Sequence, residues 1–382
     1  MSDDPIPLAR PDVGAREEDL VLEVMRSGRL SLGPMLDRFE REFADWLGAD
    51  GAVAVSSGTA ALHLAVRATG WGGGDEVVTS PLSFIASANC LLYEAATPVF
   101  CDIDPLTLNI DPAAAEAACG ARTAGLLPVH IFGYPCDMQA IERLAGSSGL
   151  AIVEDACEAL GAVDADGIKV GARGHPAAFA FYANKQLTTA EGGMLAARDP
   201  GVRAGVRSER NQGRGEDMDW LGHERLGFNY RLSDVAAAIG VAQLERIDAL
   251  LAERARVAAL YAERLAAIDE LQLPHADEGR VRRSWFVYVV QLPPGMDRDG
   301  VIETLAKRGI SSKAYLPCIH LQPFYRERFG YRGGEFPVAE EVAAHSIALP
   351  FFTGMTEAQV ERVCEALRER VEAGDRPARV VR

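Results

Sequence analysis

Between residues 52 and 197 the chain alternates short apolar runs with amphipathic ones, and this pattern constrains the fold more than any other feature. The runs at 52–55 (AVAV), 76–80 (EVVTS), 97–103, 124–131, 150–155, 177–182 and 193–197 have strand length and composition. Helical stretches such as TAALHLAVRA and DMQAIERLAG lie between several of them. Strands that alternate with helices predict a mostly parallel sheet with helices on both faces. The last run, GMLAA, follows too closely on AAFAFY for a crossover helix, so that strand is expected to run antiparallel.

Two amphipathic helices are predicted upstream. EEDLVLEVMRSG closes on Gly28, and MLDRFEREFADWLGAD has apolar residues at 35, 36, 39, 43, 46 and 47. Downstream of residue 230 the pattern changes. SDVAAAIGVAQLERIDALLAERARVAALYAERLAAI reads as one long helical stretch, capped by Ser233 or Asp234, which bends or breaks. Then come a strand (RSWFVYVVQL), a helix (DGVIETLAKRG), a Pro-rich segment (LPCIHLQPFY) and a closing helix from near Thr356. This predicts a large α/β domain with an N-terminal arm over 1–245 and a small C-terminal α+β domain over 246–382.

The 382 residues carry 39 basic and 55 acidic side chains, a net charge of −16, which argues against nucleic-acid binding by bulk electrostatics. No apolar run approaches the ~18 residues of a membrane helix. MSDDPIPLAR lacks the features of a signal peptide, so a cytoplasmic protein is expected. The seven cysteines show no CxxC and no metal-ligand spacing; Cys90, Cys101, Cys157 and Cys364 read as core thiols, and no metal is expected.

Lys185 follows one strand, in FYANKQLTTAEGGM, and Asp155 ends another, in LAIVEDACEALGA. Their separation, 185 − 155 = 30 residues, is about one αβ unit. A lysine and an acid delivered to one sheet edge suit pyridoxal 5′-phosphate (PLP). The lysine forms the Schiff base, and the carboxylate holds the ring nitrogen protonated so that the ring is an electron sink. Strand alternation sends only one of Glu154 and Asp155 toward the ring, and Asp155 is preferred. Ser56-Ser57-Gly58-Thr59 follow a strand and open a helix, which suits either a phosphate or a simple cap. Phe84 suits a ring-stacking face or the core. Asn229-Tyr230-Arg231 precede the long helix, and His320 is a candidate substrate contact.

Taken together, SSGTAALHLA, SPLSFIASAN, VEDACEALGA, FYANKQLTTAEGGM, RNQGR and LGFNYRLSDVAAAIGVAQLERID resemble the DegT/DnrJ/EryC1/StrS family of sugar aminotransferases, in its perosamine-synthase-like branch. The resemblance implies the PLP-dependent transferase fold of the aspartate-aminotransferase class (fold type I) and a homodimer with shared active sites. It implies PLP as cofactor, with the pyridoxamine phosphate form as intermediate. Lys185 and Asp155 are then catalytic. Ser57, Gly58, Thr59, Phe84, Glu158 and Asn229 would join them in holding the cofactor, Asn229 from the partner subunit. Tyr315, Arg231 and His320 are candidate substrate contacts. Two positions depart from the commonest pattern: Ala180 stands where a serine often donates to the phosphate, and Glu158 where Gln or His is common. Lys185 argues against a dehydratase branch that carries His there.

The implied reaction moves an amino group from L-glutamate to a keto group of a nucleotide-linked sugar. Three alternatives remain at this stage. They are a keto-cyclitol acceptor, perhaps with glutamine as donor; a non-catalytic PLP-binding regulator; and a nucleotide-binding module using SSGTA, which lacks a GxGxxG or Walker motif.

Overall fold

The computed structural model describes residues 4–215 and 222–374. Residues 1–3, 216–221 and 375–382 lie outside this description. Strands β1 (Ala52–Val55), β2 (Glu76–Thr79), β3 (Thr97–Phe100), β4 (Thr123–Leu127), β5 (Ala151–Ile152), β6 (Glu154–Asp155), β7 (Ala177–Ala180) and β8 (Gly193–Ala196) build the large sheet. One half runs β3-β2-β4-β5, all parallel, and the other runs β1-β8-β7-β6. A parallel bridge between Val129 and Asp155 joins the halves, with only Val153 between β5 and β6. As GMLAA's position required, β8 is the antiparallel strand, pairing that way with both β1 and β7.

Alternation in these strands feeds two apolar layers. Ala52 and Ala54 of β1, and Ala177 and Phe179 of β7, face the helices α1 (Ala15–Ser27) and α2 (Pro34–Leu47). There Phe43 meets Phe179 edge-on, with ring centroids 5.2 Å apart. Val53, Val55, Ala178 and Leu195 face the opposite way, onto Leu62, Leu64 and Val66 of α3 (Gly58–Thr69). A period of two in the strand thus meets helices on both faces. Gly28 ends α1 at φ 72°, the left-handed backbone that glycine adopts without a Cβ penalty.

The long helical stretch does break. One helix covers Asp234–Glu245, with Ser233 Oγ accepting from Ala236 N, and a second covers Ile247–Leu265; Arg246 between them is non-helical. The second helix packs on a three-stranded antiparallel sheet of β9 (Tyr288–Gln291), β10 (Lys313–Ala314) and β11 (Ser346–Leu349). The helix Glu357–Glu372, opened by a Thr356/Gln359 capping box, completes that core. No helix among the described residues is long and apolar enough to cross a membrane.

Candidate active site

The carboxyl ends of β6 and β7, the start of α3 and two C-terminal segments enclose a cavity of about 480 Å³. Open α/β sheets place ligand sites at such strand ends because the backbone there leaves unpaired groups and room. Ser57, Gly58, Thr59, Phe84, Asp155, Glu158, Lys185 and Tyr315 all line it.

Asp155 is buried, and both of its oxygens have a donor. Ser87 Oγ donates to Oδ2 at 2.6 Å and the Cys157 N–H donates to Oδ1 at 3.1 Å. Ser87 lies on α4 (Ala86–Tyr93), and its hydroxyl is also 2.6 Å from Ser83 Oγ. Glu154, one residue earlier, faces the other way. Its Oε2 accepts from the Gly171 N–H at 3.1 Å and lies 3.2 Å from His130 Nε2, with both side chains fully buried. The Cys136 N–H donates to His130 Nδ1, so Nε2 carries the ring proton toward Glu154. Glu154 therefore ties the sheet to the following loop, and Asp155 faces the cavity.

Lys185 projects between a carboxylate and an aromatic face. Its Nζ is 3.8 Å from Glu158 Oε1 and 3.8 Å from the ring centroid of Phe286. The Phe132 N–H donates to Glu158 Oε2 at 2.9 Å. Burial pushes the Glu158 carboxyl above the usual range, opposed by the Lys185 ammonium and that N–H.

At the start of α3, Ser57 Oγ caps the helix by accepting from Ala60 N at 3.1 Å. The first-turn amides of Gly58 and Thr59 have no intrahelical acceptor. A Cβ on Gly58 would stand 2.6 Å from Ala180 Cβ and 3.1 Å from Cys157 Sγ, so only glycine brings the backbone this close to the cavity floor. Nearby, Asn184 Oδ1 is buried without a hydrogen-bond partner and its residue lines the cavity. Together these features bring helix-end donors, an acid and a lysine onto one cavity. They fit an elongated anionic cofactor such as PLP.

Other expected positions fall outside the cavity. His320 is fully buried, its Nε2 3.0 Å from Glu340 Oε1 and its ring packed on Phe336 and Tyr331. It packs the fold away from the cavity, which corrects its reading as a substrate contact. Arg231 does not reach the cavity of its own chain; Nη1 donates to Asn211 Oδ1 at 3.0 Å, across an Asn211–Asn229 bridge. Asn229 is exposed and likewise lies outside that cavity. Cys90, Cys101 and Cys364 are core thiols, whereas Cys157 is only half-buried and lines the cavity, because the chain turns there to present Asp155.

The sequence reading missed Ser87 and Phe286. Ser87 carried a signal, being a polar residue on the first turn of a helix inside SPLSFIASAN. Phe286 carried none, since 286 − 185 = 101 residues separate it from Lys185.

Comparison with known proteins agrees with this geometry. The model of the DegT/DnrJ/EryC1/StrS aminotransferase family matches residues 11–368. The chain is 41% identical to the GDP-perosamine synthase of Caulobacter vibrioides, over 96% of this chain and 99% of that protein. DesV of S. venezuelae, solved in complex with a ketimine intermediate, superposes with a TM-score of 0.91 at 35% identity, over 97% of this chain and 99% of that one. A Streptococcus pneumoniae protein solved in its PLP form superposes with a TM-score of 0.91 at 26% identity, over 97% and 99%. The chain belongs to the DegT/DnrJ/EryC1/StrS aminotransferase family, an enzyme family of sugar transaminases.

Proposed function

We propose that this chain is a PLP-dependent aminotransferase that moves an amino group from L-glutamate to a keto group of a nucleotide-linked sugar. The observation that carries the reading is the convergence of Lys185, Asp155 and the start of α3 on one cavity. Ser57, Gly58 and Thr59 would take the cofactor's phosphate, Asp155 its ring nitrogen and Lys185 its aldehyde carbon. When bound, PLP supplies an electron sink for the pair left at the donor's Cα.

The chain's own groups do the rest. Lys185 Nζ would be the nucleophile, and its free amine would carry the proton on and off the donor's Cα. Asp155 would offer its carboxylate to the cofactor's ring nitrogen, and the Ser87 hydroxyl and Cys157 amide fix its orientation. Phe84 and Tyr182, both more than half exposed, flank the mouth of the cavity. We read the assembly as a homodimer, with the exposed Asn229 serving the cavity of a second copy.

The similarity to GDP-perosamine synthase supports a nucleotide-linked acceptor over a keto-cyclitol. The test is a two-stage assay. L-glutamate alone should bleach the yellow enzyme and release 2-oxoglutarate, and a nucleotide-linked keto sugar should restore the colour. Bleaching by glutamine but not glutamate would change the donor. Restoration by a free keto-cyclitol only would replace the acceptor.

A further inference from the structure

Arg254 lies on the helix Ile247–Leu265 and is 3% exposed, yet among the described residues no carboxylate partners it. Its guanidinium spends its donors on main-chain carbonyls. Nε donates to Trp285 O at 2.6 Å and Nη2 to Phe286 O at 2.7 Å, while Nη1 lies 3.5 Å from Thr353 Oγ1. Burial pulls the guanidinium down to about 10. Burying a cation against neutral carbonyls is costly, and here that cost is offset by charged donors on two main-chain carbonyls that an apolar side chain would leave without these partners. The two carbonyls belong to the residues just before β9, and the second of those residues is the one whose ring lies against Lys185 Nζ.

The same segment is held from the other side. Ser284 N donates to Gly133 O at 3.0 Å, Ser284 Oγ to Leu160 O at 2.5 Å, and Gln186 Nε2 reaches Ser284 Oγ at 3.1 Å. Gln186 is the residue after Lys185, so residues 284–286 are stapled to the lysine's own loop at one end and to Arg254 at the other. The forked guanidinium grips two successive carbonyls, which a lysine ammonium does not match.

We propose that Arg254 is a positioning residue for the active-site lysine: it clamps the carbonyls of Trp285 and Phe286 and so holds the Phe286 ring face against Lys185 Nζ. Of the charged groups that line the cavity, Glu158 lies 3.8 Å from that Nζ, and Asp155 and Glu191 are the others. The ring is the apolar counterpart to Glu158. It stabilises the ammonium on its π face and confines the amine beside the reacting atoms. Its bearing on transamination rests on the function proposed above.

The test is pulse labelling of the full-length protein, first stripped of any bound PLP with L-cysteine and dialysis so that Lys185 is a free amine, with a trace of acetic anhydride at fixed pH. Mass spectrometry reads Lys185 against the exposed Lys307 as internal reference. Phe286→Leu should raise the Lys185/Lys307 ratio about threefold to tenfold, and Phe286→Tyr, which keeps the ring, should leave it at the wild-type value. Arg254→Lys should raise the ratio in the same direction; Arg254→Gln replaces it where that variant does not fold. In the Phe286→Leu background the Arg254 substitution should add nothing, because its effect runs through the ring. An unchanged ratio in both Arg254 variants, or a full additional effect in the Phe286→Leu background, would overturn the proposal. Since labelling needs no cofactor, a chain that never turns yellow with PLP but shows this ratio pattern would sink the function and leave the clamp standing.

Discussion

The floor of the cavity is made by strand ends of the large sheet, whereas its roof is made by residues flanking the small sheet: Phe286 before β9, and Tyr315 and Leu316 after β10. Floor residues are fixed by a sheet ladder and charge-directed hydrogen bonds. Asp155 takes two donors, and its backbone pairs across the strand bridge at Val129. Roof residues are fixed by packing and by donors from distant segments. Tyr315 packs on Phe132 with ring centroids 5.7 Å apart, and burial pushes its phenol well up. The difference teaches that the floor sets which chemistry is possible, while the roof sets where the reacting amine sits and how much water reaches it.

The sharpest way to break this division is to remove the floor. Lys185→Ala should cut steady-state turnover by about 10³-fold or more, measured as 2-oxoglutarate released over many turnovers. Multiple-turnover activity in that variant would move the chemistry elsewhere. Next come the two adjacent acids. Asp155→Ala should lose roughly 10²–10⁴-fold in rate, whereas Glu154→Gln should stay within about tenfold of the wild type. Equal losses would mean that the opposed directions of the two side chains do not divide their roles.

Smaller effects sharpen the floor's two departures from the family pattern. Ala180 offers no hydroxyl where the backbone of Gly58 comes closest. Ala180→Ser should tighten PLP about tenfold by equilibrium dialysis, the worth of one hydrogen bond to a charged acceptor. Unchanged or weaker affinity would show that the phosphate does not sit there. Glu158 gives a pH signature. A carboxyl raised in the folded state adds stability while protonated in both states, and loses it as pH rises through its folded value. The melting temperature of Glu158→Gln should match the wild type below the ordinary carboxyl range and exceed it by a growing margin as pH rises above that range, levelling once Glu158 is ionised. A gap that narrows as pH rises would contradict this.

Legibility in the sequence followed the same division. The parallel sheet, the antiparallel GMLAA strand, the break in the long helix and the Ser233 and Thr356 caps were readable because each rests on local pattern. Lys185 and Asp155 were readable as a pair because consecutive parallel strands, β6 and β7, end side by side, although a helix-free loop joins them where the spacing suggested an αβ unit. Of the roof, Tyr315 was named through the resemblance, but Phe286 and Arg254 were not: Phe286 looks like an ordinary core position, Arg254 like one more charge on a polar helix, and contacts so far apart in sequence leave no periodic trace. His320 shows the reverse error. A histidine in a Pro-rich loop invited a substrate role, but the aromatic cluster of Phe336 and Tyr331 and the Glu340 carboxylate hold it inside the fold.

The central claim is that Lys185 is the residue that binds PLP, and the chain's four lysines, Lys169, Lys185, Lys307 and Lys313, make it directly testable. Incubation with PLP, reduction with borohydride and peptide mapping should place the pyridoxyl mass on Lys185 alone, with loss of the yellow colour on reduction. A pyridoxyl group on another lysine, or on none, would contradict the account.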